Sequence, residues 1–411
     1  VLLGRTMEDW LRFSVCYWHS FCGTVTKPCV RILSSIPKIE QLYTTGEPID
    51  RLNHRFHIFF SFFLQVKYYT FHDRDLAPEG GTLEETNRNL DEITDLALEL
   101  QRKTGIKVLW ATCNLFAHPR SMAMLGLENS LLTLLRGGIK LKLISLTVAV
   151  ISLHNSVNYS GEGELKPHNI TLVTITLKTL ASFYLCLFQF CAAYKEKIGL
   201  KCQFLIEPKP KEPCKHQYDY DAMSVIGFLK HFELDSYFKL NIEPNHTTLA
   251  GHSYEHDIIM ASAFGMLGSV DSNTGSPDLG WDTDQFPMDI KNTTMVMKCV
   301  IEQGGLQPGG LNFDAKVRRE STDLEDLFIA HVGAMDTFAR GLRSAVQIIE
   351  EGVIAQMLQQ RYLSFSSGIG SMVEEGTATL VELEEFIKQN GEPKTTSGKQ
   401  EKYESIFNHY L

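Results

Sequence analysis

The sequence predicts an α/β protein: a (β/α)8 TIM barrel followed by a C-terminal helical arm. Three observations carry that expectation. Short apolar runs, hydrophobic on both faces, alternate with segments of helical composition, as buried parallel strands and their crossover helices do. Seven such runs recur along 411 residues, a length that suits one barrel with an added segment. Single acids stand just after several runs, at the end of the strand where barrels build their sites.

The runs are Phe13–Trp18, Val66–Phe71, Val108–Thr112, Cys202–Ile206, Phe238–Ile242, Met266–Val270 and Gly309–Phe313. Helices are expected at Leu83–Thr104, Asp221–His231, His256–Leu267, Thr294–Glu302, Leu324–Glu351 and Thr379–Gln389. Two segments break the rhythm, 25–64 and 121–190. The second should hold the missing fourth strand, in an irregular region where Leu143–Leu153 is the best candidate. Residues 1–320 thus read as a catalytic barrel domain, and 321–411 as C-terminal helices with an oligomerisation arm. The polar stretch Asn390–Lys402 lies outside the barrel.

Composition narrows the class of partner. An apolar fraction of 44% with 21% charged residues is that of a soluble protein with a large core. A net charge of −10 argues against nucleic acid, whose phosphates need clustered Lys and Arg. Nine cysteines, an odd number without C-x-x-C spacing, suggest neither a disulfide framework nor a zinc ribbon. A reducing compartment, the cytoplasm, is the simpler reading. Leu143–Leu153 is too short to span a bilayer, so no membrane partner is expected. The opening Val1-Leu2-Leu3-Gly4 carries no secretory signal and reads as though a longer N-terminus preceded it.

The acids carry the chemistry. Glu207 follows Phe-Leu-Ile, Glu243 follows Leu-Asn-Ile, Asp271 follows Gly-Ser-Val and Asp314 follows Leu-Asn-Phe. Any one strand-end acid could be a helix cap. Four on strands in order point to convergence, and converging carboxylates repel unless protonated or bridged by cations. Oxygen-rich sites select hard divalent ions such as Mg²⁺ or Mn²⁺.

In Glu243-Pro-Asn-His246 the histidine reaches a neighbouring ion if the chain turns sharply after Pro244. Asp282 and Asp284, two apart, project the same way if that stretch is extended. Glu243, His246, Asp282 and Asp284 would form a second site of mixed O/N character, suited to Mn²⁺, Mg²⁺ or Co²⁺, with Glu243 bridging the two ions. His72 precedes Asp75 by three residues, so a hydrogen bond can fix its tautomer for acid–base work. Lys209, between two prolines, either pairs with the cluster or holds a carbonyl oxygen. Trp18 is either core or an apolar wall for a sugar's C–H face.

These residues fall in blocks that resemble the xylose isomerase family, in its longer, plant-like class. The blocks are Cys16-Tyr-Trp-His19, Phe71-His-Asp-Arg-Asp75, Ile206-Glu-Pro-Lys-Pro210, Leu240-Asn-Ile-Glu-Pro-Asn-His246, Leu279-Gly-Trp-Asp-Thr-Asp-Gln-Phe-Pro287 and Gly309-Gly-Leu-Asn-Phe-Asp-Ala-Lys-Val317. The resemblance covers roughly Gly4–Gly23, Val66–Arg120 and Ala192–Leu411. It implies a barrel whose C-terminal arm embraces a neighbouring subunit, in a homotetramer. It implies two divalent ions per subunit, Mg²⁺ foremost, with Mn²⁺ or Co²⁺ as alternates. Glu207, Glu243, Asp271 and Asp314 would hold the structural ion, and Glu243, His246, Asp282 and Asp284 the catalytic one.

The same resemblance makes His72, oriented by Asp75, the residue that assists ring opening, and Lys209 the contact to the carbonyl oxygen. Trp18 and Thr112 would line the substrate pocket. The implied reaction interconverts D-xylose and D-xylulose, with D-glucose and D-fructose as a side activity. Hydrogen passes from C2 to C1 as a metal-assisted hydride shift, and no organic cofactor takes part.

Both irregular segments depart from the family. After the first strand there is no Gly-Ala-Asp-x-Phe-Gly loop. The fourth strand lacks its Trp-Gly-Gly-Arg-Glu-Gly-Tyr block, and no Trp occurs between Trp110 and Trp281. The alternative expectation is therefore a non-catalytic or defective metal-binding relative without a complete sugar pocket.

Overall fold

The computed structural model describes residues 1–20, 66–112, 148–152, 185, 188–197, 199–211, 217, 219–392 and 394–411. Eight parallel strands close into a barrel in sequence order. They are β1 Phe13–Cys16, β2 Tyr68–His72, β3 Lys107–Thr112, β4 Val148–Ser152, β5 Gln203–Glu207, β6 Phe238–Ile242, β7 Leu267–Asp271 and β8 Leu311–Phe313. The sheet closes where Phe13 pairs with Leu311 and Val15 with Phe313. The missing fourth strand lies inside the candidate run: β4 meets β3 at Ala111↔Ala149 and β5 along its whole length. All of 25–64 lies outside the described residues, as does 121–190 apart from β4 and residues 185 and 188–190. The expectations made on those stretches lie outside them too.

The helices in chain order are α1 Met7–Leu11, α2 Tyr17–Ser20, α3 Asp73–Leu76, α4 Leu83–Thr104, α5 Ala222–His231, α6 Pro244–Leu249 and α7 His256–Ala263. They continue as α8 Ile290–Glu302, α9 Leu324–Glu351, α10 Val353–Arg361, α11 Ile369–Glu374, α12 Leu380–Asn390 and α13 Gln400–Asn408. Local chemistry sets their ends. Thr82 caps α4 by accepting from the Glu85 amide at 3.2 Å, and Gly105 ends it at φ 76° with Arg102 and Lys103 in the last turn. Asp323 and Asp326 form a capping box at the start of α9.

The long helix α9 is held by one stripe. Ala334, Phe338, Leu342 and Ala345, spaced by three and four, are all 0% exposed. Phe338 meets Phe13 of β1 and Phe313 of β8 edge-on, which ties the helix to the seam of the barrel. A side chain of that size contributes roughly 1.5–3 kcal/mol on burial. Where α9 crosses α8, a Cβ on Gly341 would lie 2.6 Å from the Thr293 hydroxyl, so only glycine permits the approach.

Most expected boundaries shift by one or two residues, and α8 starts at Ile290, four residues earlier than Thr294; two further shifts have a clear local cause. β1 ends at Cys16, not Trp18, because Tyr17–Ser20 coil into the single turn α2. Helix α7 stops at Ala263, four residues early, because Gly265 at φ 68° turns the chain into β7.

After α9 the character of the chain changes. No residue of α10–α13 is buried. The final turn docks back on α9, where the Ser344 hydroxyl donates to the Tyr410 carbonyl at 2.6 Å and the Tyr410 hydroxyl to Glu351 at 2.8 Å.

Candidate active site and metal centre

The C-terminal ends of the strands bring together the seven expected ligands. Glu207 and Asp271 are the last residues of β5 and β7, and Glu243 and Asp314 directly follow β6 and β8. Glu243 stands at the middle of the group. Its carboxylate has ligand atoms within 4.8 Å of those of Asp271 and Asp314, of Glu207 and His246, and of Asp282 and Asp284. His246 arrives because Pro244 opens α6, so the sharp turn expected after Glu243 is a helix start. That first turn puts His246 Nε2 at 3.2 Å from Glu243 and 3.1 Å from Asp282. Its Nδ1 lies 3.0 Å from the Pro208 carbonyl.

One local expectation is corrected. Asp284 is not in extended backbone; it sits at φ 42°, in the left-handed region. Aspartate tolerates that region better than most residues, and strain of this kind gathers at functional sites. The Asp284 carbonyl accepts from the Lys316 amide at 2.8 Å, while Thr274 and Gln285 bridge beside it, so the surrounding backbone fixes the conformation.

The electrostatics follow from burial. Glu207, Glu243 and Asp271 are 6%, 2% and 0% exposed. Burial, then the neighbouring carboxylates, pushes Glu243 well above the usual carboxylate range, with Asp282 the largest neighbour. Asp271 is raised by burial and Glu207, and Asp284 by burial and Asp282. Against burial, His246 and Lys209 hold Asp282 well below its ordinary value. Lys209 reaches Asp282 at 2.6 Å, and Lys316 reaches Asp284 at 2.8 Å. Six carboxylates thus share two lysines among the described residues. This donor set, oxygen-rich with one imidazole, fits divalent cations, and their binding would relieve the repulsion.

A layer of neutral donors lies beneath the acids, and sequence reasoning missed it. Asn241 donates to Glu207 at 3.0 Å and to Asp271 at 2.9 Å. Asn312 donates to Asp271 at 2.8 Å while accepting from Ser14 and Thr70 at 2.9 and 2.8 Å. Asn273 donates to Glu243 at 2.7 Å, and Asn245 to Asp282. The signal was available: Asn241 and Asn312 each precede a ligand acid by two residues, and side chains two apart on a strand share a face. Replacing Asn241 with Leu is expected to lower stability by about 2–4 kcal/mol, since hydrogen bonds to charged groups contribute roughly 1.5–3 each. Urea unfolding measures this, and a loss under about 0.5 kcal/mol would show that the amide does not matter.

The remaining candidates sit on β1–β3. His72 ends β2, its amide donates to Asp75 at 2.8 Å, and its Nδ1 lies 3.0 Å from the same oxygen. Burial disfavours the charged ring, yet Asp75 raises its pKa overall. Trp18 donates from Nε1 to Asp314 at 2.9 Å and packs against His72 at 4.4 Å and Trp110 at 5.6 Å between ring centroids. Trp110, 2% exposed, is thus a second aromatic that backs Trp18 beside the site. Thr112 is register partner of His72, and its buried hydroxyl has no hydrogen-bond partner among the described residues.

His19 was also missed. Its Nε2 lies 3.1 Å from Asp314 and 3.3 Å from Asp284. Burial opposes its charge, but the bonds to those two carboxylates lift the ring to about 9. The barrel is thus divided: the six candidate ligand carboxylates stand at the ends of β5–β8 and on the loops after them, and Trp18, His72 and Trp110 stand on the side of β1–β3.

Comparison with known proteins agrees with this geometry. Residues 358–411 match the XylA2 C-terminal domain family. The chain is 45% identical over 406 residues to a xylose isomerase of Arabidopsis thaliana, covering 99% of this chain and 84% of the relative. It is 45% identical over 412 residues to xylose isomerase 2 of Xanthomonas campestris pv. campestris, covering 99% and 90%. Against a xylose isomerase of Bacillus velezensis identity is 42% over 413 residues, covering 100% and 91%. A solved structure of a putative xylose isomerase from Rhodospirillum rubrum shares the fold, with a TM-score of 0.51 at 13% identity over 71% of this chain and 93% of that one.

Proposed function

The chain belongs to the xylose isomerase family and is a sugar isomerase, and from that premise we propose that it interconverts D-xylose and D-xylulose with two divalent cations. D-glucose and D-fructose are the side pair. The convergence of five other carboxylates and His246 on Glu243 is the observation that carries this reading. Glu207, Glu243, Asp271 and Asp314 would hold one ion, and Glu243, His246, Asp282 and Asp284 the other, Mg²⁺ before Mn²⁺ or Co²⁺. When bound, such ions act as Lewis acids toward sugar oxygens.

The chain's own residues divide the remaining work. His72, held by Asp75, receives or returns a hydroxyl proton at Nε2 as the sugar ring opens. Lys209, kept charged beside Asp282, presents Nζ to the carbonyl oxygen of the open form. Trp18, backed by Trp110, covers the C–H face and keeps water from the carbons between which hydrogen moves.

The C-terminal helices fit assembly with further copies, a homotetramer. Leu358, Tyr362, Leu363, Leu380 and Val381 are all exposed on them, more apolar surface than a free arm would keep. Among the described residues no helix is long and apolar enough to cross a membrane.

Purified protein with Mg²⁺ or Mn²⁺ is expected to form ketose from D-xylose, and a chelator to stop it. Bound metal without turnover would instead establish the non-catalytic reading. His72→Gln should lower kcat/KM by about 10²–10⁴-fold, the usual range for a general acid–base group, with metal content unchanged. Activity within about twofold of the parent would remove His72 from the mechanism.

A further inference from the structure

A second group of potential ligands shares no residue with the carboxylate centre. His252, His256 and Asp257 each offer a ligand atom within 4.8 Å of the others. The two imidazoles lie nearly parallel, 16° apart with centroids at 4.1 Å. His256 Nδ1 is 2.8 Å from Asp257 Oδ1, and His252 Nε2 is 3.2 Å from Asp221 Oδ2.

Each carboxylate is anchored by its other oxygen to the start of α5. Asp221 Oδ1 accepts from the Ser224 amide at 2.8 Å, and Asp257 Oδ2 from the Ala222 amide at 3.1 Å. The loop bearing His252 is pinned as well: the Tyr220 hydroxyl donates to the Ala250 carbonyl at 2.7 Å, and the His252 amide to Thr247 at 3.2 Å. Donors are therefore held in place before any ligand arrives, as metal sites require. Donors about 2.0–2.2 Å from one cation lie roughly 3–3.5 Å from each other, and ligand atoms already within 4.8 Å reach that spacing by small side-chain turns.

We propose that His252, His256 and Asp257 form an additional divalent-cation site, with Asp221 orienting His252 and an open position left for water. Two imidazoles and one carboxylate select a borderline transition metal, Zn²⁺ foremost, over the hard ions that suit the main centre. The side chains of His252 and His256 are 29% and 35% exposed, so an ion enters from solvent without opening the fold.

The test is metal analysis of the full chain after dialysis against millimolar Mg²⁺ and micromolar Zn²⁺. It is made in a Glu243→Gln background, which weakens zinc binding at the main centre. Adding His252→Gln and His256→Gln together is expected to remove one Zn²⁺ equivalent and to lower zinc affinity at least tenfold. With Glu243 intact, the same two changes should leave bound Mg²⁺ and turnover unaltered. Equal zinc in the single and triple variants overturns the proposal. Should the paired histidine change prevent folding, Co²⁺ added to the Glu243→Gln protein decides the matter. Visible bands of an imidazole-bound ion, reduced by His252→Asn alone, support the site, and a spectrum unaffected by that change sinks it.

Discussion

Glu243→Gln should abolish turnover while leaving the metal-free fold as stable as the parent or more so. Glu243 is the one carboxylate common to three of the ligand clusters around it. Gln keeps its size and its acceptance of the Asn273 amide but loses the charge two ions would share. Lewis-acid stabilisation amounts to several kcal/mol, and each 1.36 kcal/mol is tenfold in rate. The loss in kcat/KM is thus about 10³-fold or greater. The same change takes a charge out of a place where burial and Asp282 oppose it, so the chelated variant should melt no lower than the chelated parent. A variant retaining a tenth of the activity would show that Glu243 bridges nothing.

The second large effect is in the pH dependence of the metal-free protein. Glu207, Glu243, Asp271 and Asp284 are all raised in the fold, chiefly by burial. The folded chain therefore holds protons that the unfolded chain releases near 4.5 for Glu and 3.8 for Asp. Their contribution is present below those values and is lost as pH rises through the folded ones. His19 acts in the same direction. Its contribution is complete below 6.5 and disappears as pH climbs through about 9. On the scale of 1.36 kcal/mol per pKa unit, His19 alone is worth about 3 kcal/mol. Asp282 and Asp314, both lowered, favour the fold above 3.8, but that gain is complete at the acid edge of this window. Melting temperature with chelator should fall between about pH 6.5 and 9, above the range where buried His331, lowered to about 4, acts in the opposite direction, and Mg²⁺ should flatten that slope by replacing protons with cations. A chelated protein whose melting temperature is level or rising across that range would contradict the account.

The sequence exposed the ligand acids because a strand end is visible as the place where a two-sided apolar run stops. It exposed His246 for a related reason: proline after Glu243 starts a helix whose first turn must pass the strand end. His19 was hidden by a misplaced boundary. With β1 read through Trp18, neighbouring side chains alternate and only one can face the site. In the turn of α2, both Trp18 and His19 reach Asp314. The left-handed backbone of Asp284 has no local signature, since bonds from Lys316, distant in the chain, impose it. The fourth strand was found by counting: a closed sheet demanded it, and Leu143–Leu153 was the apolar run available.

The division of the barrel into a charged half and a ringed half bears on how such a protein can change through descent. The proposed ion binding would depend on the ends of β5–β8, where neighbouring acids raise one another's proton affinity. Under the proposed function the surface offered to the sugar would lie on β1–β3, where Trp18 packs on His72 and Trp110 and reaches Asp314. On that reading, changes confined to the ringed half would alter which sugar fits while leaving the ion-binding acids untouched.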